Sequence, residues 1–199
     1  MAKHTQTDSV ARIGPNSIIQ TFNALQDRYD ESKAKEIFRK AGHEKYIGNL
    51  PSTMVPESEF HALVKTLVAA LGEKASADIL KDSGERTAAY LLRVRIPGIF
   101  QSIVKLLPAK MGMKLFLWAI SKNAWTFAGS GAFSFAVDQN PKIQVNVSYP
   151  SLPTVASFYG GTFSHLLQTL IGPSTSIRVE NNTRNGNIEF TYWVTLGKN

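Results

Sequence analysis

Apolar residues recur at intervals of three and four over much of the first 122 residues, and this spacing predicts a helical first part. The clearest stripe follows Pro56 and comprises Phe60, Leu63, Val64, Leu67, Val68 and Leu71. Residues at these intervals lie on one face of an α-helix, so that face is expected to pack against a core. We predict further helices within 14–29, 30–40, 74–94, 99–107 and 111–122, the last apolar nearly all round and therefore buried.

Strict alternation of apolar and polar residues replaces the helical spacing in the last third of the chain. A strand with one buried face is predicted where polar residues separate Ile143, Val145, Val147 and Tyr149. Helical spacing returns within 151–172, and two more strands are predicted at 177–181 and 188–195. An Asn-Gly pair at 185–186 predicts the turn between those two strands.

The stretch NAWTFAGSGAFSF, residues 123–135, places aromatic residues on both sides of Gly129 and Gly131. It lacks the Lys and the Ser or Thr that end a phosphate-binding loop, so no phosphate site is predicted. Glycine reaches turn angles that other residues resist, and the flanking aromatic residues alternate. We therefore predict a tight β-hairpin with its tip at these glycines and its aromatic side chains on one wall of a cavity.

These elements together predict an α+β fold, in which N-terminal helices pack on an antiparallel sheet of four or five strands with a crossing helix. A chain of 199 residues with 43% hydrophobic content can form one domain with a substantial core. We expect residues 1–11 to form a flexible tail and residues 12–199 a single domain. Its helical part covers 12–122, and the sheet with its helix covers 123–199.

The charge of the chain is basic and unevenly distributed. The net charge is +7, and the segment from Arg93 to Lys122 holds six basic residues and no acidic one. Nucleic acid, an anionic membrane surface in peripheral contact, or a carboxylate-bearing ligand could each match such a segment, while the simplest alternative is a solvated helix face. The polar N-terminus shows no apolar signal core, so we expect a cytoplasmic protein.

Motifs that carry chemistry are few, which favours a binding domain over an enzyme. The sequence has no cysteine, no dinucleotide-binding glycine pattern and no nucleophile elbow. We place a candidate cavity between the aromatic hairpin and the apolar helices. The competing interpretation is that most of its aromatic residues only fill the core. The residues that line or border the candidate cavity are Trp125, Phe127, Phe133, Phe100, Phe116, Trp118, Tyr90 and Arg93.

The four histidines do not have the spacing of a zinc site. His61 and His165 are each candidates for an axial ligand to a metal already held by a planar ring, which needs only one imidazole. A structural or surface role is the alternative for both. The pair Gly160-Gly161 within a predicted helix would let a flat molecule approach the backbone.

Five stretches occur in an order that resembles the four-vinyl-reductase domain family, which includes the J proteins of bacteriochlorophyll biosynthesis. They are RIGPNSI, MVPESE, GERTAAYLLRVRIP, KLLP and AWTFAGSGAF, between Arg12 and about Phe135. A weaker match continues through SFYGGTFSHLLQTLIG to the terminal strands. The resemblance therefore covers most of the chain.

This resemblance implies a fold similar to the subunits of transport-tethering complexes and to heme-based nitric-oxide sensor domains. It also implies a role in tetrapyrrole synthesis. Members are named divinyl protochlorophyllide 8-vinyl reductases, but a reductase needs an electron donor, and this sequence shows no site for one. The resemblance fits better with a protein that binds a magnesium tetrapyrrole intermediate and passes it between pathway enzymes, such as magnesium chelatase and the enzymes of the steps after it. An 8-vinyl reductase and a protein-interaction module without a ligand stay open as alternatives, as does a homodimer.

A magnesium tetrapyrrole would need aromatic walls, at most one axial donor and a basic mouth for its carboxylates. His165 or His61 would then contact the magnesium. No other cofactor is detectable in the sequence, and no nucleic-acid partner is expected because the basic segment lacks a recognition element. The ligand-binding residues expected on this basis are those bordering the candidate cavity together with Arg95, Lys105, Phe158 and Tyr159.

Overall fold

The apolar stripes of the first part of the chain form six helices, as predicted. The structure is a computed structural model that describes residues 10–184 and 187–197. The helices are α1 (Asn16–Arg28), α2 (Glu31–Lys40), α3 (Glu57–Leu71), α4 (Glu73–Tyr90), α5 (Gly98–Leu106) and α6 (Ala109–Ser121).

Local chemistry explains where these helices begin. Proline directly precedes α1, α3, α5 and α6. Proline has no backbone N–H, and this costs nothing at the start of a helix, where N–H groups have no hydrogen-bond partner within the helix. Asp30 caps α2, and its carboxylate accepts a hydrogen bond from the Lys33 N–H at 2.6 Å. Gly72 separates α3 from α4 with a φ of 78°, a backbone angle that favours glycine.

The alternating segments form a four-stranded antiparallel sheet, which confirms the predicted α+β fold. Its strands are β3 (Ala132–Ala136), β4 (Lys142–Val147), β5 (Ser176–Arg184) and β6 (Asn187–Thr195), in the order β3-β4-β6-β5. The crossing helix α8 (Ala156–Leu170) lies in sequence between β4 and β5. The predicted Asn-Gly turn at 185–186 falls outside the described residues. A separate pair, β1 (Arg12–Ile13) and β2 (Val55–Pro56), joins the start of the chain to the start of α3.

Apolar side chains on one face of the sheet belong to the core, as the alternation predicts. Ile143, Val145 and Val147 of β4 are buried, and so are the alternate residues of β6 from Ile188 to Val194. The Tyr192 hydroxyl donates a hydrogen bond to the Ala156 carbonyl at 2.9 Å, which ties the sheet to the first turn of α8. The boundaries of a tail at 1–11 and of two parts within one domain stay a prediction.

The aromatic segment before the sheet does not form the predicted hairpin. Trp125 to Ala128 form a one-turn helix, α7, and only the residues after Gly131 enter a strand. Gly129 ends α7 with a φ of 57°. A Cβ on Gly131 would lie 1.9 Å from the Asn146 carbonyl oxygen, so this glycine is needed for close pairing with β4. The alternation of Trp125 and Phe127 predicted a strand. The helical turn is instead stabilised by contacts with distant parts of the chain, which a local sequence pattern cannot reveal.

Helix α6 is buried on one face only, which corrects the prediction that it is buried all round. Met113, Phe116 and Leu117 are buried, whereas Met111 is 58% exposed and Trp118 is 53% exposed. No helix in the described part of the chain is both long enough and apolar enough to cross a bilayer. The exposed fractions of Met111 and Trp118 show that α6 has an apolar outer face at the surface.

The backbones of α4 and α8 touch at two glycines. A Cβ on Gly84 would lie 2.1 Å from the Phe158 carbonyl oxygen, and a Cβ on Gly161 would lie 2.2 Å from the Lys81 carbonyl oxygen. Thr162 seals the crossing, since its hydroxyl donates to the Gly84 carbonyl at 3.1 Å. Gly161 therefore admits a neighbouring helix, while a Cβ on Gly160 would lie 3.5 Å from the Tyr192 ring of the sheet. The pair is in contact with the protein's own elements and does not face a flat ligand, which corrects the expectation drawn from the sequence.

We predict that Gly84→Ala destabilises the fold by at least about 2 kcal/mol, because the added methyl group meets a backbone carbonyl that cannot move aside as a side chain can. Urea unfolding followed by circular dichroism measures this. Gly98→Ala is the matched control, since a Cβ there meets nothing within 4 Å, and it should change stability by less than about 1 kcal/mol. Equal unfolding midpoints for Gly84→Ala and the wild type would show that the crossing is not tight.

Candidate ligand cavity

A cavity of about 700 Å³ lies where helices α4 to α8 meet the start of the chain. Its wall is mainly apolar, and it opens to solvent beside the exposed residues Arg95, Pro97 and Asn123. Pockets of roughly 300–1,000 Å³ are typical of sites for small molecules and cofactors. The interior is thus not filled by its own side chains, and the cavity expected from the sequence is present.

Aromatic rings form the deep part of the wall and support one another. The rings of Phe60 and Phe158 meet edge to face with centroids 5.0 Å apart. Phe127 of α7 and Phe163 of α8 also line the cavity, with centroids 6.3 Å apart. Phe133 lies behind this pair, 5.4 Å from Phe127 and 6.1 Å from Phe163. Edge-to-face contacts of this kind add to the gain from burial, so the wall is pre-formed.

All five hydroxyl groups of the residues that line the cavity, on Ser17, Thr87, Thr126, Tyr159 and Thr162, have their protons engaged by backbone carbonyls. Tyr159 donates to the Phe127 carbonyl at 3.2 Å, and burial raises the pKa of this phenol well above its ordinary value. Thr87 donates to the Ser83 carbonyl at 2.9 Å, and Thr162 donates to the Phe158 and Gly84 carbonyls. Each oxygen keeps a lone pair, so a ligand in the cavity would meet neutral oxygen acceptors on an otherwise apolar surface.

The mouth of the cavity includes a short π-helix. Residues Leu91–Arg95 continue α4 with a wider turn, in which the Ile96 N–H donates to the Leu91 carbonyl at 2.8 Å. The side-chain amide of Gln101 donates to the carbonyls of Leu92 and Ile96 at 2.6 and 2.8 Å. This clamp holds the segment that carries Arg95. Short π-helical turns occur often at functional sites.

Six of the predicted ligand-binding residues line the cavity. They are Arg95, Phe100, Phe116, Phe127, Phe158 and Tyr159. The other six do not: Phe133 supports the wall from behind, Arg93, Lys105, Trp118 and Trp125 are exposed at the surface, and Tyr90 is partly buried. The basic mouth predicted from three residues therefore reduces to one arginine on the wall.

The structure brings neither candidate axial histidine to the cavity. His61 is almost fully buried elsewhere, where its Nδ1 is 2.7 Å from the Ser151 hydroxyl and its ring stacks on Tyr149 at 5.1 Å. His165 is half-buried on α8 and is absent from the wall. The residues that the structure describes contain no cluster of three or more His, Cys, Asp or Glu suited to a metal ion. The side chains that line the cavity could contact a metal only through neutral oxygen atoms, such as those of the hydroxyl groups.

Several wall residues were missed by sequence analysis. The segment from Ile13 to Ser17 reaches the cavity because the Gly14 N–H donates to the Thr126 carbonyl at 2.7 Å. Glu57, which is buried, accepts from the Ser130 N–H at 2.9 Å and so fastens the end of α7 to α3. These contacts join residues far apart in the chain. The only signal for them in the sequence was the order of the motifs RIGPNSI, MVPESE and AWTFAGSGAF.

Two proteins resemble this chain over most of its length. The bacteriochlorophyll synthase 23 kDa chain of Rhodobacter capsulatus is 34% identical over 178 residues, covering 85% of this chain and 80% of that protein. The chain belongs to the same family. The protein of the same name from Cereibacter sphaeroides is 31% identical over 175 residues, covering 84% of this chain and 82% of its own length. The resemblance stated from the sequence motifs is thereby confirmed, although no protein-family model matches the chain.

The family fold is similar to that of H-NOX domains. An H-NOX protein from K. algicida in the Fe(II) unliganded form superposes with a TM-score of 0.60 at 11% identity, covering 92% of this chain and 97% of that one. An oxygen-binding H-NOX domain related to soluble guanylate cyclases superposes with a TM-score of 0.54 at 12% identity, covering 93% and 96%. At this identity the likeness concerns the fold alone. It confirms the sensor-like α+β fold that the sequence resemblance implied.

We predict that acid destabilises the protein partly through His61. Burial lowers the pKa of this imidazole from 6.5 to about 4, so its neutral form is favoured in the folded state, although the charge of Glu57 opposes this shift. The unfolded chain then binds more protons between pH 6.5 and pH 4, and stability falls as the pH drops through that window. The loss amounts to about 2–3 kcal/mol between pH 7 and pH 4.

Urea midpoints measured from pH 4 to pH 7 test this against His61→Gln. The variant starts less stable at pH 7, because Gln does not reproduce the stacking on Tyr149. It should lose less stability on acidification than the wild type does. Parallel pH profiles would show that His61 titrates normally in the folded protein.

Proposed function

We propose that the chain serves bacteriochlorophyll biosynthesis by binding a magnesium tetrapyrrole intermediate in the cavity and carrying it between pathway enzymes, such as magnesium chelatase and the enzymes of the steps after it. The observation that carries the proposal is the pre-formed, aromatic-walled cavity of about 700 Å³ in a member of this family. The relatives are chains named for bacteriochlorophyll synthase, and bacteriochlorophyll is itself a magnesium tetrapyrrole. Among proteins with a similar fold, the H-NOX family includes heme proteins.

The wall suits a large flat ring. A tetrapyrrole is apolar on both faces, so rings such as Phe116, Phe127 and Phe158 offer it favourable contact and exclude water. Its carboxylates would lie towards solvent, where Arg95 supplies a positive charge at the opening. Magnesium prefers oxygen ligands, and the side-chain oxygens on the wall are neutral, namely hydroxyls such as those of Thr87 and Thr162 and the amide oxygens of Asn16 and Asn123. The magnesium arrives with the ligand as cargo.

The chemistry of the wall favours holding a ligand over transforming it. The residues that line the cavity include no carboxylate, imidazole or thiol, and the buried phenol of Tyr159 keeps its proton near neutral pH. Such a wall binds and shields a ring without a group suited to proton transfer. A carrier role needs no more than this, together with an opening through which the ligand enters and leaves.

We predict that Ala119→Phe lowers affinity for magnesium protoporphyrin by at least about tenfold, because the added ring would occupy the cavity and displace the ligand at a cost of roughly 1–3 kcal/mol. Ala119 lies on the cavity wall in α6. Absorbance and tryptophan-fluorescence titrations with magnesium protoporphyrin and protochlorophyllide measure binding. His165→Ala is the control, since His165 is outside the cavity, and it should bind like the wild type.

No spectral change with either ligand would contradict the carrier proposal and favour a protein-interaction module. Wild-type affinity in Ala119→Phe, or a large loss in His165→Ala, would place the ligand elsewhere on the protein. Conversion of a divinyl substrate on addition of reduced nicotinamide would favour the reductase.

We predict that Arg95→Glu weakens binding of the free-acid tetrapyrrole by about three- to tenfold at low salt, as expected for an exposed charge pair that is reversed. The dimethyl ester of the same ring lacks the carboxylates, so its affinity should not change. Arg93→Glu is the matched control two residues away, exposed but not on the wall. An equal loss for the acid and the ester would show that Arg95 acts through structure and not through charge.

A further inference from the structure

An apolar face is exposed beside the mouth of the cavity. On α5, Ile99 is 76% exposed and Leu106 is 85% exposed, and on α6, Trp118 is 53% exposed. Single exposed apolar residues are ordinary, but several together mark an interaction surface. We call this the mouth face, and it comprises Val94, Ile99, Ile103, Leu106, Met111 and Trp118.

Helical geometry makes the mouth face continuous along each helix. Residues 99, 103 and 106 recur at intervals of four and three, and so lie on one side of α5. The opposite sides of the two helices are already used, since Phe100 and Phe116 line the cavity and Val104 is in the core. The residues of the mouth face are therefore not needed to pack α5 and α6 against the protein. The mouth face lies next to the opening of the cavity.

Unpaired positive charge surrounds the same face. The six basic residues between 93 and 122 have no ion-pair partner among the described residues, and no acidic residue lies in that segment. Elsewhere the pattern is different, because nine basic residues from Arg28 to Arg178 each pair with an acidic side chain. Lys122 places its ammonium 5.4 Å from the centre of the Trp118 ring. Four other basic residues whose side chains are described, Arg12, Arg39, Lys65 and Lys142, also form no ion pair with a described residue, so six of the ten that lack one lie in the segment with the exposed apolar side chains.

We propose that the mouth face docks on an anionic lipid surface, with its apolar side chains in the headgroup region and its cations on lipid phosphates. Apolar residues flanked by Lys and Arg, with tryptophan at the boundary, are typical of helices that lie in a membrane interface. A protein partner fits less well, because lysine is depleted at protein interfaces and four of the six basic residues are lysines. Docking in this way turns the cavity opening towards the bilayer.

The docking proposal does not rest on the proposed function. Lipid binding is measured on protein without tetrapyrrole, and tetrapyrrole binding is measured without lipid. Failure of one therefore leaves the other standing.

Vesicle flotation tests the proposal with the full chain. Vesicles of phosphatidylcholine with phosphatidylglycerol should carry the protein upward in a density gradient, while vesicles of phosphatidylcholine alone should not. Added salt should release it, since the attraction between exposed charges is screened. Absence of flotation with the anionic vesicles, or equal flotation with both kinds, overturns the proposal.

Leu106→Glu should reduce partition onto the anionic vesicles by about tenfold or more. The substitution removes an apolar side chain from the lipid contact and adds a negative charge that the anionic lipids repel. Leu106 is almost fully exposed, so the fold should be retained. Val179→Glu on β5 is the matched control, as Val179 is also an exposed apolar residue, outside the mouth face, and it should partition like the wild type. Wild-type partition of Leu106→Glu overturns the proposal. A second result would also overturn it: the wild type forms a dimer and does not float with vesicles, and Leu106→Glu dissociates that dimer. The mouth face would then be the contact with a second copy of the chain.

Fluorescence quenching by brominated lipids locates the docked face by a second route. The three tryptophans are Trp118, Trp125 and Trp193, and single-tryptophan variants with phenylalanine at the other two positions separate them. Trp118 should be quenched on anionic vesicles. Trp193 is the comparison, because it lies in β6 outside the mouth face and its indole donates to Glu180 at 2.8 Å. It lines a surface hollow together with Lys110, so it should be quenched less than Trp118 but need not be unaffected. Stronger quenching of Trp193 than of Trp118 would show that another surface meets the lipid.

Discussion

The rest of the structure depends on the contact between the backbones of α4 and α8. Only glycine at 84 and 161 lets the two helices approach this closely, and the Thr162 hydroxyl closes the crossing with a hydrogen bond to the Gly84 carbonyl. Because α8 is held there, Phe158 and Tyr159, which come just before the contact in sequence, line a fixed space beside α4. The cavity is thus bounded by two rigid helices whose separation is set by backbone contact.

The remaining walls are brought in by hydrogen bonds between distant parts of the chain. The one-turn helix α7 is fastened at three points: Thr126 accepts from Gly14, Phe127 accepts from Tyr159, and Ser130 donates to Glu57. A single helical turn would not persist alone, since helix formation carries a costly nucleus. These bonds hold Phe127 in the wall and explain why the motifs in the N-terminal half and the aromatic segment occur together.

The proposed roles of the cavity and of the mouth face are physically related. The cavity is mainly apolar and opens beside Arg95, while the nearby surface carries exposed apolar side chains and cations that form no ion pair within the described part of the chain. A flat, apolar ligand with carboxylates at its rim dissolves poorly in water and partitions into membrane interfaces. A carrier that docks where its ligand accumulates would shorten the aqueous path of that ligand. The two proposals are thus physically compatible, although each is tested separately.

The sequence by itself determined the elements whose periodicity spans a whole helix or strand, because burial of one face imposes a period of 3.6 or 2 on the chain. That logic predicted α3, β4 and β6, and also the helix that crosses the sheet. It was wrong for Trp125–Ala128 and for the outer face of α6. A short segment has too few residues to establish a period. The pattern of a helix also does not show which other element, if any, covers each of its faces. Only the tertiary structure decided that Gly161 meets a helix and that His61 lies away from the cavity, because both depend on which distant backbone comes close.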